Sequence, residues 1–221
     1  MGIKSAAIFT IASVVSGWAM AESSYTAKVG AEMWWPKTKV NEVNRDSDTT
    51  PSGYLAIEHD TPYLPDARLR YSSVDADYMA FDKLDLTLYY RLLEHDLMHF
   101  DAGVTLTDLS DTKYVNAQDI NNPVDFDGFI WAWYGYAELT VPNTHFDIIG
   151  EMNFGNNNDI KSTDLMAGVQ YRLPLKETTL AFRGGYRVID LESGKFDAKS
   201  EDLGKSFIFA NGFFVGAEWS F

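Results

Sequence analysis

Hydrophobic and polar residues alternate over most of the chain with a period of two residues. The first such segment runs from residue 25 to residue 35. Its apolar positions are Tyr25, Ala27, Val29, Ala31, Met33 and Trp35, and the positions between them begin with Thr26, Lys28, Gly30 and Glu32. A period of two predicts a β-strand whose two faces meet different surroundings.

The same period recurs along the chain and predicts ten strands. It is clearest where Leu84, Leu86 and Leu88 alternate with Asp85 and Thr87. The predicted strands cover residues 25–35, 53–60, 66–72, 81–93, 99–108, 129–141, 145–155, 162–173, 178–190 and 213–221. Eight of the ten are at least as long as a strand that crosses a bilayer, which needs about 9 to 11 residues. We therefore predict an all-β fold, a closed antiparallel transmembrane β-barrel of ten strands.

Two segments leave an eight-stranded barrel with two rim hairpins as the alternative. The predicted strand 66–72 is short and follows Pro62 and Pro65, and Asn211 interrupts the apolar row of the last strand. A secreted β-sandwich is disfavoured, because sandwich strands are shorter, about 5 or 6 residues.

The connections between the predicted strands differ in length at the two ends of the barrel. One set is short and covers residues 59–66, 94–98, 142–144 and 174–177. The other set is mostly longer and polar, and covers residues 36–52, 73–80, 109–128, 155–161 and 191–205. Short periplasmic turns and longer outer loops are typical of bacterial outer-membrane barrels.

The first 21 residues have the features of a cleaved signal peptide. Lys4 precedes an apolar stretch, and the small residues Ala19 and Ala21 form an A-x-A cleavage site. The apolar stretch is too short for a membrane helix, which needs about 20 residues. We expect residues 1–21 to be removed and residues 22–221 to form one barrel domain.

Composition narrows the classes of function that the chain could have. It has no cysteine, which excludes a disulfide framework, and the loss of Lys4 takes its formal charge from −14 to −15. An acidic chain is a poor electrostatic partner for nucleic acid. The mean hydropathy of −0.20 resembles that of a soluble protein. A barrel gives such an average because half of each strand faces the lumen.

The last residues carry a recognisable pattern, consisting of Gly216, Ala217, Glu218, Trp219, Ser220 and Phe221. In this pattern the chain resembles the small integral outer-membrane β-barrels of Gram-negative bacteria, within the porin-like superfamily. The resemblance implies a C-terminal assembly signal centred on Gly216, Trp219 and Phe221. It also implies a partner, the outer-membrane assembly machinery, and a location in the bacterial outer membrane beside its lipids and lipopolysaccharide.

Charged residues occupy the second face of many strands, which we predict to face the lumen. The predicted lumen network comprises Arg68, Arg70, Arg91, Arg172, Arg183, Arg187, Glu32, Asp85, Glu138 and Glu151. Charges at membrane depth are tolerated where they face water or one another. The network indicates either a selective aqueous path or an ion-paired interior that stiffens the barrel, and we favour the second.

Candidate catalytic and metal-binding residues are few, and we assign neither role. The four histidines, His59, His95, His99 and His145, map to the end with short connections, far from the cell surface where a lipid or peptide hydrolase would work. The acidic loop 108–128 lacks the ligand order of an EF-hand. We predict no catalytic site, no metal and no cofactor.

Three functions fit this sequence in decreasing order. The first is a structural barrel or narrow small-solute pore with an ion-paired lumen. The second is a surface interaction or adhesin-like protein that acts through its outer loops. The third is an outer-membrane lipid or peptide hydrolase, and we predict that the protein is not an enzyme.

Overall fold

The chain folds into a β-barrel, seen here in a computed structural model that describes residues 25–40, 43–45, 49–76, 79–115, 121–196 and 207–221. Its strands are β1 (Tyr25–Val40), β2 (Val43–Arg45), β3 (Thr50–His59), β4 (Asp66–Ala76), β5 (Met79–His95), β6 (Met98–Tyr114), β7 (Gly128–Thr140), β8 (Phe146–Asn157), β9 (Ile160–Pro174), β10 (Thr179–Ser193) and β11 (Phe207–Ser220). A short 3₁₀ turn, Gly194–Phe196, follows β10. The predicted signal peptide, residues 1–21, lies outside the described residues.

Antiparallel pairing closes the sheet on itself. From β3 to β11 each strand pairs with its neighbours in sequence, and β1 pairs with both β3 and β11. The closing register places Ala31 opposite Ala217, and Ala27 and Phe221 exchange two backbone hydrogen bonds of 2.8 and 2.9 Å. The short strand β2 pairs with the end of β1 alone. The barrel therefore has ten strands, as predicted, and the eight-stranded alternative is wrong.

Strand parity separates the interior of the barrel from its exterior. On β5, Lys83, Asp85 and Thr87 are buried, whereas Leu84 and Leu86 are exposed. The same arrangement on the other strands covers the outer surface with large apolar side chains, among them Val29, Leu69, Ile148, Leu165, Val169, Phe182, Phe213 and Val215. Hydrophobic residues point outward and charged residues point inward, which inverts the order of a water-soluble barrel.

Four short turns mark one end, which we call the inner end; they cover residues 60–65, 96–97, 141–145 and 175–178. The opposite end, the outer end, carries the longer connections 115–127 and 194–206. No helix in the described part of the chain has the length and apolar character needed to span a membrane.

Several strands extend further toward the outer end than the sequence predicts. The expected loops 73–80 and 155–161 are largely strand, because β4 and β5 run to a two-residue link and β8 and β9 meet at Asn158 and Asp159. Both of these residues have positive φ, of 52° and 60°, as a tight hairpin turn requires. Backbone pairing continues there, but the apolar side chains point inward, as at Val74, Met79 and Ile160.

Candidate functional site

The inward-facing residues divide the lumen into three zones along its axis. At the inner end lies an open vestibule, in the middle a layer of paired charges, and at the outer end a cluster of apolar side chains. We call these the inner vestibule, the ion-pair layer and the outer apolar core.

The centre of the ion-pair layer is Glu151 of β8, which binds two arginines from β4 on the opposite wall. Arg68 donates to both carboxylate oxygens, at 2.9 and 2.7 Å, and Arg70 donates to Oε1 at 3.0 Å. All three residues are buried. A bidentate guanidinium–carboxylate pair holds fixed geometry and is among the stronger charge-assisted hydrogen bonds. This cluster ties the two sides of the barrel together across the lumen.

A second cluster forms around Asp164 on β9, which is not among the residues of the predicted lumen network. Arg187 donates to both of its oxygens, at 2.9 and 2.6 Å, and Lys83 donates to Oδ2 at 3.1 Å. Lys83 also donates to Asp85 at 2.7 Å. The Arg187 guanidinium lies 5.4 Å from the ring of Trp34, which joins this cluster to the outer apolar core.

A third cluster links Arg183 to Tyr54 and to two acids. Arg183 donates to the Tyr54 hydroxyl at 2.8 Å, and that hydroxyl donates to Glu218 at 2.5 Å. Arg183 Nη1 lies 3.5 Å from Glu32 Oε1. These three clusters bring together Arg68, Arg70, Arg183, Arg187, Glu32, Asp85 and Glu151 of the predicted network.

Glycine makes room for two side chains of this third cluster. A Cβ at Gly30 would lie 2.1 Å from the ring of Tyr54, and a Cβ at Gly216 would lie 2.7 Å from Cγ of Glu32. The absence of a side chain at Gly216 therefore has a packing reason inside the barrel. Its predicted role in an assembly signal, together with Trp219 and Phe221, stays a prediction.

The other predicted network residues lie at the inner end, outside the buried clusters. Arg91 donates to Asp66 at 3.1 Å, and Arg172 donates to Asp147 at 2.7 Å. Glu138 accepts hydrogen bonds from Tyr136 at 3.0 Å and from Gln170 at 2.9 Å. The alternation along a strand shows which side chains face the lumen but not how far along the barrel axis each one lies. The prediction from sequence therefore grouped these residues with those of the buried clusters.

The outer apolar core was not predicted. Inward side chains from eight strands fill the outer third of the lumen, and two side chains from the connections cover them; the set includes Trp34, Val74, Met79, Phe81, Leu109, Ile130, Ile160, Ile189, Leu191, Ile208, Phe126 and Phe196. Phe126 and Phe196 are fully buried, with ring centroids 5.2 Å apart. The signal for this core is apolar character on both faces near the outer ends of strands, as in Phe207, Ile208 and Phe209.

Residues 124–127 are fixed to the barrel on the same side. Backbone hydrogen bonds of 2.8 Å join Tyr114 and Val124 in both directions. Asp127 accepts hydrogen bonds from the hydroxyl and the backbone N–H of Thr112, which lower the pKa of its carboxyl group. These bonds hold Phe126 over the lumen.

The four histidines lie at the inner end, as predicted. His99 Nε2 is 2.7 Å from Asp101 Oδ1, and the Nδ1 atoms of His59 and His95 accept backbone hydrogen bonds within their own turns. His145 packs edge-on against Tyr171. Within the described ranges, no three acidic or histidine side chains are close enough together to hold a metal ion.

The inner vestibule is a cavity of about 440 Å³. It opens between the inner turns and ends against the ion-pair layer. Its wall is polar, and it includes Lys28, Tyr54, Glu58, Arg68, Tyr89, Asp101, Tyr134, Tyr136, Glu138 and Glu218. A gap of about 20 Å³ lies among Lys83, Asp164 and the apolar residues above them. The vestibule is thus open at one end and closed at the other.

No protein-family model and no curated protein matches this chain. Solved structures similar to it include the following three. The β domain of the Bordetella autotransporter BrkA is 12% identical with a TM-score of 0.44, and the match covers 90% of this chain and 98% of that one. The Pseudomonas putida toluene transporter TodX is 8% identical with a TM-score of 0.33, covering 89% of each chain. A loop-deletion mutant of OmpT, an outer membrane protein of Vibrio cholerae, is 9% identical with a TM-score of 0.24, covering 90% and 99%.

Proposed function

We propose that this protein is an integral β-barrel of the bacterial outer membrane with a closed lumen, which acts as a structural barrel or, at most, a narrow path for small solutes. The observation that carries the proposal is the contrast between an apolar exterior and an interior filled by paired charges and apolar side chains.

The exterior supports insertion in a membrane. Large apolar side chains are exposed around the middle of the barrel, for example Phe182 at 50% and Ile148 at 52%. Aromatic side chains flank this belt at both ends, with Trp219 and Phe221 at the inner end and Trp131 and Trp133 at the outer end. An exposed apolar belt between aromatic girdles is the lipid-facing surface of a transmembrane barrel. The inner end would then face the periplasm, and the belt would contact outer-membrane lipids and lipopolysaccharide.

The interior supports a closed lumen. Eight-stranded barrels have room for little beyond side chains, whereas 16 to 18 strands leave an aqueous channel. In this ten-stranded barrel, the ion-pair layer and the outer apolar core occupy the lumen one above the other. Ions crossing the membrane would have to pass both, so we expect small and infrequent conductance steps from the refolded protein in planar bilayers. Large, stable channels would contradict the closed lumen.

A pair of matched substitutions tests the membrane placement separately. Leu86 in the apolar belt and Leu97 in an inner turn are similarly exposed, at 38% and 45%. Arginine at a lipid-facing midplane site costs about 2 to 4 kcal/mol, and little near the interface. We expect Leu86→Arg to lower the free energy of unfolding in lipid vesicles by that amount and Leu97→Arg to have little effect. Equal losses would contradict the membrane belt.

Surface interaction through the outer loops is the second candidate function. It is favoured by the burial of Phe126 and Phe196, which fixes the described residues on either side of the outer apolar core to the barrel. An enzyme acting on lipid or peptide is the third candidate, and we propose that the protein has no such activity. Binding assays with variants that lack one outer connection would distinguish the second candidate from the first.

A further inference from the structure

Tyrosine and carboxylate side chains form repeated pairs around the inner vestibule. Tyr54 donates to Glu218 at 2.5 Å, Tyr89 donates to Glu58 at 3.0 Å and Tyr136 donates to Glu138 at 3.0 Å. All six residues line the cavity. Each pair fixes a carboxylate beside an aromatic ring. Rings and carboxylates both attract cations, the rings through the negative potential of their faces.

Three of the four arginines on the vestibule wall bind acids that lie outside the wall, and the fourth, Arg183, lies 3.5 Å from Glu32 outside it and 3.9 Å from Glu218 on it. Arg68 is bound to Glu151 at 2.7 Å, and Arg172 is bound to Asp147 at 2.7 Å. Arg91 is similarly bound to Asp66. None of these three acids lines the cavity. The positive charge of the wall is therefore largely compensated from behind.

The carboxylates that face the cavity are less fully compensated. Glu138 accepts its hydrogen bonds from the neutral groups of Tyr136 and Gln170. Asp101, whose side chain is 5% exposed, has His99 beside it at 2.7 Å. Asp96 adds further negative charge at the mouth, where Glu94 lies 3.6 Å from Arg91. The vestibule thus combines surplus negative charge with aromatic rings.

The protein already places cations of its own against these groups. The Lys28 ammonium lies 2.5 Å from Glu58 Oε1, the same atom that accepts the Tyr89 hydroxyl. The Arg68 guanidinium lies 5.1 Å from the centre of the Tyr134 ring. Glu138 and Tyr136 repeat the carboxylate–tyrosine pair that Glu58 and Tyr89 form beside Lys28. At Glu138, however, the hydrogen bonds come from the neutral groups of Tyr136 and Gln170.

We propose that the inner vestibule is a binding site for a small organic cation with primary ammonium groups, of the size of a short aliphatic diamine. The cavity volume of about 440 Å³ falls within the range of ligand pockets, about 300 to 1,000 Å³. One ammonium group binds Glu138 and Asp101, and the apolar stem lies along the tyrosine rings. This proposal does not depend on whether the lumen conducts ions.

Isothermal titration calorimetry on the refolded full barrel in a nonionic detergent tests the proposal. The probes are 1,4-diaminobutane and succinate, which have chains of four carbons and opposite charge. Both titrations are run at pH 8. We expect the diamine to bind at least about tenfold more tightly than succinate and to weaken as salt is added. Equal binding of the two probes, or tighter binding of succinate, would overturn the proposal.

Two substitutions predict opposite changes in diamine affinity. Glu138→Gln keeps an acceptor for Tyr136 but removes the charge, and it should weaken binding about tenfold or more. Lys28→Met removes the competing ammonium and should tighten binding. Glu192→Gln removes the same charge at the outer end, where Glu192 pairs with Lys161, and should change nothing. If a variant does not refold, the decisive result is the comparison of the two probes on the unmodified protein.

Discussion

The two ends of the lumen are filled by different chemistry. The outer third holds apolar side chains such as Phe81, Phe126 and Phe196, which pack as the interior of a water-soluble protein does. The middle and inner parts hold charged groups whose partners come from the facing walls, such as Arg68 and Glu151. An apolar plug needs only suitable volume, whereas a charged layer needs specific partners in a specific register.

This difference predicts how each region responds to substitution. Removal of one member of a buried ion pair leaves an uncompensated charge, whereas truncation of an apolar side chain leaves a cavity. The stability lost by breaking an ion pair should depend on which charged partner is left behind. The stability lost by truncating an apolar side chain should depend only on the volume removed.

The largest effect is expected for Glu151→Gln in the ion-pair layer. The substitution leaves Arg68 and Arg70 without their shared carboxylate, and loss of one partner from a buried pair costs about 3 to 5 kcal/mol. The exposed pair of Lys161 and Glu192 gives the control, because such pairs contribute about 0 to 1 kcal/mol. Unfolding in urea in the presence of lipid vesicles measures both. A loss at Glu151→Gln no larger than that at Glu192→Gln would show that the layer is hydrated.

The next effect concerns the outer apolar core. Phe196→Ala removes a fully buried ring that contacts Tyr114 and Phe126, and such truncations cost about 3 kcal/mol or more. Phe207→Ala on the exposed outer rim is the matched control and should cost less. The same unfolding experiment compares the two variants, and Phe196→Leu should recover part of the loss. No difference between Phe196→Ala and Phe207→Ala would contradict a packed core at the outer end.

A smaller effect is expected from Gly216→Ala. The added Cβ would lie 2.7 Å from Glu32 Cγ and 2.8 Å from the backbone oxygen of Ala31, so the closing strands must shift. Overpacking of this kind costs about 1 to 3 kcal/mol. Gly184→Ala is the control, since its Cβ would meet its nearest neighbour at 3.7 Å. Equal stability of the two variants after refolding would argue that Gly216 serves assembly in the cell rather than packing.

The smallest effect on the finished barrel is expected from Phe221→Ala. The ring is 40% exposed at the inner rim, and the substitution keeps the backbone hydrogen bonds to Ala27. We expect a loss of about 1 kcal/mol in refolded stability but a marked fall in the amount of protein reaching the outer membrane of cells. Phe207→Ala at the other end of the same strand should leave that amount unchanged. Normal cellular levels of Phe221→Ala would contradict the assembly signal.

Much of this fold follows from the sequence because strand parity is a local property. The alternation of Leu84, Asp85 and Leu86 places each side chain inside or outside without knowledge of the other strands. Strand ends were less predictable. Near residues 73–80 and 155–161 the alternation of apolar outward and polar inward residues stops while backbone pairing continues, because Val74, Met79 and Ile160 point into the outer apolar core.

The partners within the lumen could not be predicted from sequence. Arg68 and Glu151 are 83 residues apart and meet because closure of the barrel sets the relative height of β4 and β8. The outer apolar core was missed for a related reason. At a strand end such as Ile208 and Phe209, both faces are apolar. The outward residues are accounted for by the lipid-facing surface. The inward residues form a core only together with residues from the other strands, and the sequence of one strand does not show these neighbours.

The central claim is that two barriers close the lumen in series, and single-channel recording tests it most directly. Three variants are compared with the unmodified protein. The first combines Glu32→Ala with Arg183→Ala, which removes a charge-neutral pair from the ion-pair layer. The second combines Phe126→Ala with Phe196→Ala, which opens the outer apolar core, and the third carries all four substitutions. We expect stable, enlarged conductance steps from the combination alone, with each pair of substitutions leaving one barrier intact. Large stable channels from the unmodified protein, or from either pair alone, would contradict the two barriers.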